Sequence, residues 1–150
     1  MNIKAIDHQI LNFLQRISVP LARFSLFVIF FWFGLLKVIG ESPAGEMVES
    51  LFTQTISFMS FPTFMLLFAW FEVLIGILFL IPKATRLVFL LLIIHMITTL
   101  GPLIMLPEMT WAGFLIPTME GQYIIKNLVI IATAIAVAAH VRPMDGDIRK

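Results

Sequence analysis

Four apolar runs decide what this chain can fold into, because each is long enough to cross a hydrocarbon core of roughly 30 Å at about 1.5 Å per helical residue. The first runs from about Leu21 to Ile39 and the second from about Thr63 to Ile81. The third runs from about Arg86 to Leu100 or Leu106, and the fourth from about Gln122 to Val141. Inside lipid every backbone N–H and C=O must be satisfied within its own segment, so runs of this kind fold as helices. With 60% hydrophobic and 13% charged residues and a mean hydropathy of +1.02, the chain lacks the charged surface of a soluble domain. The expected fold is all-α: an integral membrane four-helix bundle forming a single domain over residues 1–150.

Local signals mark the ends of the runs. Ser18 can cap the first, with Pro20 in its first turn, and Pro62 and Pro82 bracket the second. Thr85 precedes the third, which Gly101-Pro102 either kinks or ends, and the fourth stops before Pro143.

Charge outside the spans sets an orientation. Lys4, Arg16 and Arg23 precede or open the first run, Lys83 and Arg86 sit in the short second loop, and Arg142, Arg149 and Lys150 follow the fourth run. The first and third loops have no Lys or Arg and carry Glu41, Glu46, Glu49, Glu108 and Glu120. Of ten basic residues only Lys37 and Lys126 break the pattern, so the positive-inside rule puts both termini in the cytoplasm. About twenty residues precede the first run and no small-residue cleavage site follows it, which favours an uncleaved span over a signal peptide.

Within that leading segment Ile3, Ile6, Ile10, Phe13 and Ile17 recur at spacings of three and four, opposite Lys4, Asp7, Gln9, Asn12 and Arg16. The pattern predicts an amphipathic helix over residues 1–18, lying on the cytoplasmic leaflet or packed on its own bundle. In the first outer loop, Met47, Val48, Leu51 and Phe52 share a helical face beyond Pro43. The third loop is similarly apolar, with Met105, Trp111, Phe114 and Ile116, and both can cap the outer mouth of the bundle.

Inside the spans stand Lys37, Glu72, His95 and Lys126, with Asn127 beside the last. Even lenient scales charge roughly 2.5 to 3.5 kcal/mol for one ionised group at mid-membrane, so such residues need partners, water or a task. Glu72 and His95 fall near mid-membrane, and Lys37 and Lys126 lie in the outer half. His95 shares a stripe with Thr98, Thr99 and Pro102, and Tyr123 and Asn127 lie near Lys126. All four ionisable groups are therefore expected to converge under aromatic walls. Simpler roles exist for each: either lysine can snorkel to the headgroups, Glu72 can form a structural ion pair with one of them, and His95 can be a neutral core residue.

Several chemistries are excluded. There is no cysteine, hence no disulfide, thiolate site or paired-cysteine quinone chemistry. A bis-histidine haem needs two imidazoles at one depth, and His8, His95 and His140 do not supply them. Metal binding by Glu72 and His95 lacks a third ligand, so neither haem nor metal is expected, nor is nucleic acid as a partner. The chain has no self-sufficient catalytic motif.

Arg23, then Gly34 and Lys37 closing the first run, Glu72 and Gly76 in the second, His95 in the third and Lys126-Asn127 opening the fourth resemble the DoxX-like membrane proteins. The likeness is nearest to the branch of small inner-membrane proteins of reactive-chlorine resistance, and it spans about Arg23 to His140. It implies a four-helix protein of a bacterial inner membrane, in a family sometimes linked to quinone-dependent oxidoreductases. The expectation is then a membrane subunit of a redox or oxidative-stress system, with a soluble or membrane redox partner and a quinone-like headgroup at the Lys/Glu/His cluster. A non-catalytic anchor or assembly factor with a structural cluster is the second reading. A small transporter or proton pathway, built as a homo-oligomer, is the third.

Overall fold

Pro20 does not interrupt the first helix. In the computed structural model, which describes residues 3–141, α1 is one helix of 36 residues, Ile3–Val38, with Pro20 inside it. At about 1.5 Å per residue it is some 54 Å long, well beyond a bilayer core. The leading segment and the first span, expected as two elements, are joined without a break. The proline removes one backbone donor, a loss the flanking turns accommodate. Along this leading half the stripe residues Ile3, Ile10 and Phe13 are exposed, while Ile6 and Ile17 are half-buried.

The chain then forms α2 (Gly45–Thr55), α3 (Phe61–Phe79), a 3-10 turn at Pro82–Ala84 and α4 (Thr85–Leu100). Two short helices, α5 (Pro102–Met105) and α6 (Pro107–Thr110), lead into a hairpin of β1 (Trp111–Gly113) and β2 (Ile116–Pro117), and α7 (Met119–Ala138) closes the fold. Among the described residues four helices are long and apolar enough to cross a membrane: α1, α3, the Pro82–Met105 stretch containing α4, and α7. Only 17 to 28% of each such window is buried within the protein, and Phe24, Trp32, Leu67, Trp70, Leu90, Ile97 and Leu128 point outward. In water such a surface would aggregate; in lipid it is the expected exterior. The protein is a multi-pass helical membrane protein by length and composition of its helices.

The helix ends follow local chemistry. Ser60 caps α3 by accepting from Thr63 N, with Pro62 in the first turn, and Thr118 caps α7 by accepting from Gly121 N. The cap at Thr118 starts α7 three residues before the apolar run suggests. Gly101 keeps helical angles but Pro102 has no N–H, so the third span is kinked there and continues as α5.

The most extensive contact among the spans joins α1 and α3, which run antiparallel. A Cβ on Gly34 would stand 2.8 Å from the Val73 side chain, and one on Gly76 would stand 2.7 Å from the Phe31 backbone nitrogen. The reciprocal glycines let the two backbones approach as no larger residue would allow. Around this seam Leu26, Phe30, Ile75, Phe79, Val88, Leu92 and Met96 form the core, with Ala134 from α7.

A second cluster, Met47, Leu106 and Ile124, lies under α2 and the α5–α6 segment at the end of the bundle termed here the loop end. There Thr118 donates to Met109 O and Thr118 N donates to Thr110 O, tying the hairpin to the start of α7. At the opposite, turn end, Arg23 donates to Phe79 O and to the Thr85 hydroxyl, linking α1 to the α3–α4 turn. Arg142, Pro143, Arg149 and Lys150, which enter the charge pattern of the C-terminal side, lie outside the described residues.

Candidate functional site: a buried lysine, glutamate and histidine

Three of the four intramembrane ionisable residues meet. Lys37 comes from the last turn of α1, Glu72 from the middle of α3 and His95 from the C-terminal half of α4. Lys37 Nζ donates to Glu72 Oε2 at 2.6 Å, and His95 Nε2 lies 3.3 Å from Glu72 Oε1. Both carboxylate oxygens are thus engaged, one by each neighbouring helix. The three side chains are 8%, 7% and 3% exposed, so the network is closed to solvent and lipid alike.

Its walls are aromatic. The Phe68 ring lies 5.7 Å below Lys37 Nζ and 5.2 Å from the His95 ring, while Phe30 and Phe71 meet His95 near edge-on at 5.3 and 6.1 Å. These rings exclude water, which strengthens the ion pair and makes the loss of either partner costly. Phe30 and Phe68 lie on the faces that helical spacing assigns to Lys37 and Glu72. Phe71, adjacent to Glu72 in sequence, reaches the imidazole only through the way α3 and α4 pack.

The hydrogen-bonding pattern assigns roles to the ring nitrogens. With Glu72 ionised against Lys37, a proton carried on His95 Nε2 would face Oε1 at 3.3 Å, which leaves Nδ1 as a bare acceptor. His95 Nδ1 is buried and has no hydrogen-bond partner.

The remaining expected residues stand apart from this network. Thr98 and Thr99 donate to His95 O at 2.7 and 3.2 Å, so they engage the backbone of the helix rather than the imidazole. Back-bonding of this kind loosens a helix and suits the kink just beyond it. The four-way convergence expected from depth does not form. Lys126 is exposed, with Nζ over the Tyr123 ring at 4.9 Å, and among the described residues no ion pair joins it to Glu72. Asn127 is half-buried beside it and Tyr123 is exposed. The cause is rotational, since depth along a helix does not say which way a residue faces, and α7 turns Lys126 outward.

The triad side chains touch one another and line neither of two cavities found in the fold. A groove of about 400 Å³ between α1 and α7, lined in part by Ser25, Ile29 and Thr133, lies elsewhere, as does a smaller cavity at the turn end. One polar contact escaped the reading of the sequence: Arg23, inside the first apolar run, finds its partners at Phe79 and Thr85. Its position in that run is the signal that marks it as a fifth ionisable group needing partners. Comparisons with protein-family models, curated proteins and solved structures find no match for this chain.

Proposed function

We propose that the chain is a DoxX-like membrane subunit of a redox or oxidative-stress system, with Lys37, Glu72 and His95 as its working centre. In this reading the triad receives a quinone-like headgroup from the loop end. Lys37 supports an oxygen of that headgroup and His95 exchanges a proton with it, while electrons pass to or from a partner protein. The observation that carries the reading is the buried, unpartnered Nδ1 of His95, a proton-accepting atom for which a purely structural ion pair has no use. Titration of purified protein with short-chain ubiquinone and menaquinone analogues tests it. Weaker binding in Glu72→Gln and His95→Ala is expected, and unchanged affinity in both sinks it.

A second reading is favoured by the direct contact among the three side chains. In it the triad locks α1, α3 and α4 in register, and the protein serves as a non-catalytic membrane anchor or assembly factor. Function that survives a stable apolar replacement of the Lys37–Glu72 pair would select this reading over the first.

The same proposal includes an orientation. The basic turn end faces the cytoplasm of a bacterial inner membrane, and the leading half of α1 lies on that side with its apolar stripe against the membrane surface. The exposure of Ile3, Ile10 and Phe13 supports it.

A further inference from the structure

Among the described residues, His95 Nδ1 is the one buried side-chain nitrogen or oxygen with no hydrogen-bond partner. Buried polar groups are almost always satisfied, so an orphaned atom at the centre of a site points to a missing partner. We infer that this partner is the hydroxyl of an aromatic ligand, so that the triad takes the reduced, quinol form of its headgroup in preference to the quinone. It rests on the quinone-like reading of the triad and adds the redox form of the headgroup.

The direction of the missing hydrogen bond follows from the carboxylate. Lys37 Nζ donates to Glu72 Oε2 at 2.6 Å, and Oε1 lies 3.3 Å from His95 Nε2, so the ring proton is assigned to Nε2, where it faces negative charge. The opposite tautomer would set a bare Nε2 lone pair against the carboxylate oxygen and bury an unpaired N–H on the far side of the ring. Nδ1 is then an acceptor only. A quinone carbonyl is also only an acceptor and offers Nδ1 nothing, whereas a quinol O–H donates to it.

The surroundings decide between a quinol and a water. Beyond Glu72, the imidazole is met by the rings of Phe30, Phe68 and Phe71, with centroids 5.2 to 6.1 Å from its own. A buried water needs about two to four polar partners, and phenyl rings supply none. An aromatic headgroup satisfies both sides of the site, since its face and edge meet the rings while its hydroxyl meets Nδ1. Phe68 and Phe71 are only half-buried, so the wall reaches the protein surface on the α3 side and can part there. From Phe68 the aromatic contacts continue to Phe64 at 5.7 Å, with the two rings nearly parallel, and from Phe64 to Phe52 of α2 at 5.0 Å. This column leads from the imidazole toward the loop end and offers a flat ring a stacked path.

The full chain in detergent is titrated anaerobically with three forms of one short-chain headgroup: the quinone, the quinol, and the quinol dimethyl ether, which keeps the ring but cannot donate. Wild-type protein is expected to bind the quinol about tenfold tighter than either of the others, as one net hydrogen bond allows. His95→Phe, which keeps an aromatic ring and removes the acceptor, should bring the three affinities together. Should that variant fail to fold, the wild-type comparison decides alone. Equal affinity for the three forms in wild type overturns the inference, and it leaves the quinone-like reading standing where Glu72→Gln still weakens binding. A quinol preference that persists in His95→Phe also overturns it, since the hydroxyl would then be held elsewhere. If none of the three binds, both fall.

Discussion

Lys37 and Glu72, thirty-five residues apart in sequence, form a 2.6 Å ion pair between α1 and α3 with both side chains more than nine-tenths buried. The pair lies next to the reciprocal Gly34 and Gly76 seam, so a close backbone approach and a buried ion pair join the same two helices. The seam sets the separation of the helices, and the ion pair rewards one register among those the apolar surfaces would tolerate.

Removing one partner should therefore cost far more than removing both. Glu72→Gln leaves the Lys37 ammonium buried without a counter-charge and is expected to lose about 3 to 5 kcal/mol. Lys37→Met combined with Glu72→Leu should stay within about 1.5 kcal/mol of wild type, as matched apolar replacements of buried pairs commonly do. Thermal unfolding in detergent reads both. A double variant as unstable as the single one would show that the pair is not the unit.

The glycine seam makes a second expectation. Gly76→Ala should destabilise the bundle by about 1 to 3 kcal/mol, because its Cβ meets the Phe31 backbone, which cannot rotate aside. Gly45→Ala is the control: nothing lies within 4 Å of its added Cβ, and alanine favours the α2 helix that begins there. It should be neutral or stabilising by up to about 1 kcal/mol. Equal melting shifts in the two variants would count against the close α1–α3 approach.

Lys126 separates the triad from its surroundings. Since it is exposed and contacts Tyr123 rather than Glu72, Lys126→Gln should change stability by no more than about 0.5 kcal/mol. It should also leave quinone-analogue affinity as it is. A large loss on either measure would place Lys126 in the working centre after all.

The proposed orientation can be read chemically, because the natural chain has no cysteine and each introduced one is a clean probe. Lys83→Cys should react with a membrane-impermeant maleimide only from the cytoplasmic side. Phe58→Cys and Phe114→Cys, at exposed loop-end positions, should react only from the opposite side. Labelling of all three from one side would refute the alternation of spans.

What the sequence by itself determined is the part governed by the solvent. A chain with four apolar runs has to satisfy its backbone within each run, so the helices and their approximate limits follow from hydropathy and from prolines such as Pro62 and Pro102. Thr118 shows the limit of that reading, for its cap begins α7 before the apolar run does. The continuity of α1 through Pro20 was equally hidden, because a proline's local cost does not say whether neighbouring turns will absorb it.

What only the tertiary structure decided is rotation. Depth arithmetic places Lys37, Glu72, His95 and Lys126 within reach of one another along the membrane normal. Whether they meet depends on the angle at which each helix presents them, and that angle is set by packing. Gly34 against Val73 and Gly76 against Phe31 turn Lys37 toward Glu72, and the aromatic wall of Phe30, Phe68 and Phe71 seats His95 beside it. On α7 the buried face is carried by Gly121, Ile124, Ala134 and Val137, so Lys126 faces outward and four candidates become a triad.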